Sequence, residues 1–175
     1  MKEKLALFGG PKAVSETIAS YNPIGAEEAE AARKVVESGS LSKFLGSWHP
    51  QFYGGEKIQR FEKAWAQHFG VRHAISVNSA TSGLIAAVGA IGVEPGDEVI
   101  VSTLTMSASA TAILIWNAIP VFADIETETF NLDPAQVERA ITPHTRAIMV
   151  IDIHGHAARL DEIMTIARKH NLKVI

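Results

Sequence analysis

The sequence points to a three-layer α/β/α domain built on a mostly parallel sheet. Glu98 to Ser102, Ile119 to Ala123, Arg146 to Ile151 and the closing Lys173-Val-Ile175 are near-continuous apolar runs, not alternating ones. Strands of that kind are buried on both faces, the situation of a parallel sheet covered by crossover helices. Segments of helical period lie between the runs, so strands and helices alternate. Turn chemistry separates them, most plainly at Glu94-Pro-Gly-Asp97.

In chain order, residues 1 to 25 carry Gly9-Gly-Pro11 and Tyr21-Asn-Pro-Ile-Gly25 with few periodic apolar positions, and read as an N-terminal arm. The remainder, 26 to 175, reads as the N-terminal part of one large domain. Gly25-Ala-Glu-Glu28 opens a helix that runs to about Glu37 and stops at Ser38-Gly-Ser40. Leu41 to Gly55 is a long irregular segment holding Phe44, Trp48, Phe52 and Tyr53, the composition of a lid, a substrate contact, an interface or a small satellite core. Lys57 to Phe69 spaces Ile58, Phe61, Trp65 and Phe69 as one helical face expected to meet the core.

Ala74 to Val77 reads as a strand, Asn78-Ser79 as a turn and Ala80 to Ile91 as a helix with small residues in its first turn. Ser107 to Trp116 is a further helix. Asp133-Pro-Ala-Gln136 then combines an N-cap acid, proline at the first helical position and glutamine at the capping-box position, with Val137, Ala140 and Ile141 facing inward. Leu160 to His170 closes as a helix with basic residues in its last turn and Asn171 as its stop. No turn or cap follows Ile175, so the chain is expected to continue beyond it as part of a longer domain.

Composition narrows the function. The 175 residues are 47% hydrophobic and 20% charged, with a net charge of −3, which gives no basic footprint for nucleic acid. Cysteine is absent, which removes disulfides, thiolate nucleophiles and cysteine-ligated metals. Met1 to Phe8 is too short and too charged for a signal peptide, and no apolar stretch has the length of a membrane span. A cytoplasmic location is expected.

In an open α/β sheet, ligands gather outside the carboxyl ends of the strands. At the first such end, Ser79, Ala80 and Thr81 start a helix whose free N–H groups and dipole attract phosphate or carboxylate, although an ordinary N-cap has the same sequence. At the second, Thr103 to Ser109 offers hydroxyls and Met106, which could lie against a flat ring or simply fill core space. At the third, Asp152, His154 and His156 alternate and would share one face of a strand. Gly155 and the strand end near Ile153 argue against a rigid metal-ligand face, so no metal is expected and these groups read as cleft lining.

Phe8-Gly-Gly-Pro-Lys-Ala-Val14, Phe61-Glu62, Val77-Asn-Ser-Ala-Thr-Ser-Gly-Leu84, Pro95-Gly-Asp-Glu-Val-Ile100, Pro120-Val-Phe-Ala-Asp-Ile125, Asn131-Leu-Asp-Pro134, Ile141-Thr-Pro143 and Ala167-Arg-Lys-His-Asn-Leu-Lys-Val-Ile175 follow one another at short spacings. The series resembles the DegT/DnrJ/EryC1/StrS aminotransferases. The resemblance implies the aspartate-aminotransferase fold, that is, fold type I of the pyridoxal 5'-phosphate (PLP) dependent transferases. It implies PLP as cofactor, glutamate or glutamine as amino donor, a keto-sugar or cyclitol as acceptor, and a homodimer.

Carried over by position, the family's phosphate cradle falls on Ser79, Ala80 and Thr81, with Ala80 where the family has glycine. The ring-stacking position falls on Met106, where the family carries an aromatic residue. The family's His-Leu-Tyr-Gly-Gln segment falls on Asp152-Ile-His-Gly-His156, so Asp152 and His154 join Phe44 and Tyr53 as candidate substrate contacts. The acidic partner of the pyridine nitrogen and the lysine that bonds the cofactor are expected beyond Ile175. No catalytic residue is therefore expected in this chain, which alone should not transaminate. A non-catalytic binding or regulatory protein of the same fold is the alternative. A Rossmann nucleotide binder lacks its Gly-x-Gly-x-x-Gly fingerprint.

Overall fold

The computed structural model describes residues 4–17, 19–41, 43–44 and 46–175. Positions 1–3 and 18 of the expected arm, and 42 and 45 of the aromatic segment, lie outside the described residues. The chain divides into two compact units, Met1–Ala74 and Ile75–Ile175.

In the first unit, a 3-10 turn at Ala6–Phe8 ends on Gly9, whose φ of 89° suits a residue without Cβ. Helix α1, Ala26–Glu37, begins at Gly25, whose N–H donates to the Glu28 carboxylate at 2.7 Å. Arg33 grips Glu30 through two bonds of 2.7 Å on the exposed face. Helix α2, Glu56–Phe69, closes on Gly70 in the left-handed region. The period foreseen for α2 is present, with ring centroids 5.7 Å apart for Phe61 and Trp65 and 4.7 Å for Trp65 and Phe69. Its burial is not: Phe61, Trp65 and Phe69 are 52%, 50% and 56% exposed, and no residue of α1 or α2 is buried. A helix forms from local periodicity, whereas burial needs an apolar surface opposite it.

The second unit runs α3 Ala80–Ala90, β1 Glu98–Ser102, α4 Ser107–Leu114, β2 Ile119–Ala123, α5 Pro134–Ala140, β3 Thr145–Met149, α6 Leu160–Lys169 and β4 Lys173–Val174. The strands pair in the order β2-β1-β3-β4, every pair parallel. Side chains alternate along each strand, so the sheet has two apolar faces. On one, Val99, Val101, Ala147 and Met149 pack with Val88 of α3 and Ala112 and Ile113 of α4. On the other, Ile100 and Ile148 pack with Leu132, Val137 of α5 and Ile163, Ile166 and Ala167 of α6. Each such Val or Ile, taken fully out of water, contributes roughly 1.5–3 kcal/mol. The three layers follow from that alternation.

The capping chemistry of α5 is as expected in its main parts: Asp133 accepts the N–H of Ala135 at 2.8 Å, and Pro134 stands at the first helical position. Asn171, with φ of 54°, ends α6. One expected element is corrected. Residues 74–77 are irregular, not a strand, and Ile75 is 83% exposed. An apolar run becomes a strand only when a neighbour supplies the other half of the ladder, and among the described residues none does so here.

Candidate functional site

The phosphate-cradle candidates stand at the start of α3. Ser79 is the N-cap: its Oγ accepts the N–H of Ser82 at 3.1 Å and lies 3.0 Å from the Ser82 hydroxyl. The ordinary capping role is thus real. It consumes one of the orphan donors of the first turn and leaves the N–H groups of Ala80 and Thr81 without an intrahelical acceptor. Ser79, Ala80 and Thr81 are all exposed, and no bulky side chain in that turn covers the backbone. Ala80 belongs to regular right-handed helix, so the family's glycine is not needed there for backbone conformation.

Met106 caps α4 with an extended backbone, φ −61° and ψ 141°, and is 76% exposed. Within its own unit Met106 therefore fills no gap in the core. Behind it, the Thr105 and Ser109 hydroxyls bond at 2.8 Å, and the Ser102 hydroxyl accepts the Leu104 N–H at 3.2 Å, fixing the path from strand to helix.

Helices α3 and α4 run side by side in one direction. Trp116, just past the end of α4, donates its indole N–H to the Ile85 carbonyl of α3 at 2.8 Å. Its ring fills the space a Cβ on Gly89 would need, lying 2.1 Å from that position. Because α3 runs into the start of β1 and α4 into the start of the parallel β2, the two C-termini lie at one end of the sheet and the N-termini at the other, the end where β1 leads into α4. Ser79 to Thr81 and Met106 therefore share the carboxyl-end rim of the sheet.

The third candidate group reaches that rim differently from expectation. Strand β3 ends at Met149, and Ile153–Gly155 forms a 3-10 turn with His154 at φ 53° and Gly155 at φ 78°. Asp152, His154 and His156 thus lie off the strand, and the common strand face is not formed. Asp152 closes the loop by accepting the Ala158 N–H at 2.9 Å, while the His154 side chain is exposed. Among the described residues no group of three or more His, Asp or Glu side chains is placed to hold a metal ion.

Phe44 and Tyr53 belong to the first unit and are 56% and 64% exposed. In the same loop Trp48 stacks on Phe52 at 5.0 Å, and Tyr53 meets Phe52 edge-on at 5.0 Å. The candidates consequently divide between the units, cofactor residues and Asp152 and His154 in one, the two aromatics in the other.

Sequence reasoning missed two residues beside the third group. Asn131 is 1% exposed and bonds to the 153–156 turn, and Arg159 pairs with Glu126 at 2.8 Å. The Arg159 guanidinium, followed by the Thr129 hydroxyl, holds the Glu126 carboxyl below the usual carboxylate range. The available signal was an amide between Phe130 and Leu132, where a buried polar group must find partners.

A model of the DegT/DnrJ/EryC1/StrS aminotransferase family matches residues 24–175. A GDP-perosamine synthase of Caulobacter vibrioides is 48% identical over 121 residues, covering 69% of this chain and 33% of the relative. A putative L-glutamine:3-amino-2,3-dideoxy-scyllo-inosose aminotransferase of Streptoalloteichus tenebrarius is 39% identical over 180 residues, covering 100% of this chain and 40% of the relative. Among solved structures, NtdA of Bacillus subtilis with bound cofactor PMP superposes with a TM-score of 0.75 at 30% identity, covering 83% of this chain and 31% of that one. The chain spans between 33% and 40% of the length of these curated relatives.

Proposed function

From the premise that the chain belongs to the DegT/DnrJ/EryC1/StrS aminotransferase family, we propose that the full-length protein is a PLP-dependent aminotransferase. It transfers an amino group from glutamate or glutamine to a keto-sugar or ketocyclitol. The observation that carries this reading is the open first turn of α3, which lies within the matched segment and suits a phosphate dianion. One relative is named for a GDP-linked sugar and another for aminating an inosose with L-glutamine, which supports both acceptor classes.

The residues present fit the cofactor. The backbone N–H groups of Ala80 and Thr81, with the Thr81 hydroxyl and the Ser79 cap behind them, would hold its phosphate. Met106 would lie against its ring. When bound, PLP supplies the carbonyl that accepts the amino group and the ring that withdraws electrons during the transfer. Asp152 and His154, with Phe44 and Tyr53, are proposed to face the acceptor. Residues 1 to 25 are proposed as an arm, 26 to 175 as part of the PLP-binding large domain, and the intact protein as a cytoplasmic homodimer whose covalent lysine lies outside this chain. Among the described residues no helix is long and apolar enough to cross a membrane.

The test is an absorbance spectrum of the full-length protein purified with PLP, before and after L-glutamine or L-glutamate. A visible band of lysine-bound cofactor that collapses on adding the donor is expected. PLP that washes off freely and shows no donor response would overturn the reading in favour of a non-catalytic binding protein.

A further inference from the structure

The connector between β2 and α5, residues 124–133, is tightly closed on itself. Its ends meet where the Asp133 N–H donates to the Asp124 carbonyl at 3.1 Å, and Ile125 bridges Leu132 in antiparallel fashion. Inside it, the Phe130 N–H donates to the Glu126 carbonyl at 2.9 Å, and the Glu126 N–H to the Asn131 carbonyl at 2.9 Å. The Thr129 hydroxyl donates to the Glu126 carboxylate at 2.7 Å and accepts the Asn131 N–H at 3.2 Å. Phe130 adopts φ of 62°, a conformation a bulky residue holds only when its surroundings enforce it.

This closed connector delivers one side chain inward. Asn131 is 1% exposed, its Oδ1 accepting the Ile153 N–H at 3.0 Å and its Nδ2 donating to the His156 carbonyl at 3.0 Å. The two bonds span the turn that holds His154 in the left-handed region. From the outside, Arg159 ties the far end of the loop to Glu126. An amide can satisfy an N–H and a C=O at once, which a carboxylate or a hydroxyl of the same reach does less well.

We propose that Asn131 is a positioning residue for the acceptor: by clamping both ends of the 153–156 turn it fixes where Asp152 and His154 meet the keto compound. The inference rests on the proposed aminotransferase function and on the acceptor-facing role of this loop. Asn131 itself touches no reactant. It acts through the turn that it holds.

The experiment compares the full-length enzyme with Asn131→Leu, branched alike at Cγ though larger and without either bond, and with Asn131→Asp, which keeps the acceptor for Ile153. Hydrogen exchange of the Ile153 amide reads the clamp directly, and faster exchange is expected in Asn131→Leu, with Asn131→Asp in between. The acceptor KM should rise roughly ten-fold in Asn131→Leu, since only part of the loss of the two bonds reaches the acceptor. The donor half-reaction should change far less, and Asn131→Asp should recover part of the loss. Unchanged Ile153 exchange would overturn the clamp. Faster exchange with an unchanged acceptor KM, or an equal loss of both half-reactions alongside a lowered melting temperature, would reduce Asn131 to a structural role. A wild-type enzyme with no transamination would instead sink the parent reading and the acceptor role with it, while Ile153 exchange would still decide whether the turn is clamped.

Discussion

Helices α2 and α6 carry apolar residues at the same helical spacing, but only α6 buries them. Ile163, Ile166 and Ala167 disappear beneath the sheet, whereas Phe61, Trp65 and Phe69, though larger, remain about half exposed. The contrast extends to the units: every buried hydrophobic residue among those described lies between Val88 and Ala167. Periodicity determines which face of a helix is apolar. What covers that face depends on the rest of the chain, and in the second unit a parallel sheet with two apolar faces does so.

The sharpest way to break this comparison is to cut into the second unit's core. Ile148 is fully buried in the cluster that also holds Ile100 and Ile163, and Ile148→Ala should cost about 2–5 kcal/mol through lost transfer energy and a residual cavity. Denaturant unfolding of the full-length protein measures it, and a loss well under 1 kcal/mol would mean that the sheet's faces do not carry the stability assigned to them.

A smaller, pH-dependent effect tests the polar edge of the same unit. Glu126 has a lowered pKa in the folded state, so its contribution is present above the ordinary carboxylate range and is lost as pH falls through the folded value. Glu126→Gln should therefore destabilise by about 0.5–1 kcal/mol near neutral pH, discounted because Arg159 is half exposed. Its difference from wild type should shrink in acid. A gap that widens there would reverse the sign and contradict the pairing.

Trp65→Ala should cost no more than about 1 kcal/mol, far less than the core cut, because half of its surface stays in water. A loss above about 2 kcal/mol in the full-length protein would show that the α2 face is covered in the intact molecule and would bring the two helices into line.

Much of the second unit was legible because its signals are local or of fixed period. Buried strands announce themselves as apolar runs, Asp133-Pro134 as a helix start, and Asn171 as a stop. Residues 74–77 were misread because their composition suits a strand while the ladder that makes one depends on another segment. The face of α2 was misjudged for the same reason. At the candidate site, the helix starts at Ser79 and Met106 were legible from the small polar residues around them, and both stand at the N-cap position of their helix. The turn that carries Asp152, His154 and His156 was legible only as a strand end near Ile153 and Gly155; that β3 already stops at Met149 and His154 then turns left-handed was not. Asn131 went unassigned because its partners stand 22 and 25 residues away in sequence, where no local pattern reaches.

The indole of Trp116 works as a peg between two rods. Sliding α3 along α4 by one turn, about 5.4 Å, would pull Trp116 off the Ile85 carbonyl and carry Gly89, which has no Cβ, out from under its ring. The bond and the close fit over Gly89 thus favour one register of α3 against α4. A ligand held at both helix starts, as proposed for the phosphate and the ring, would find part of the cost of aligning them already met during folding.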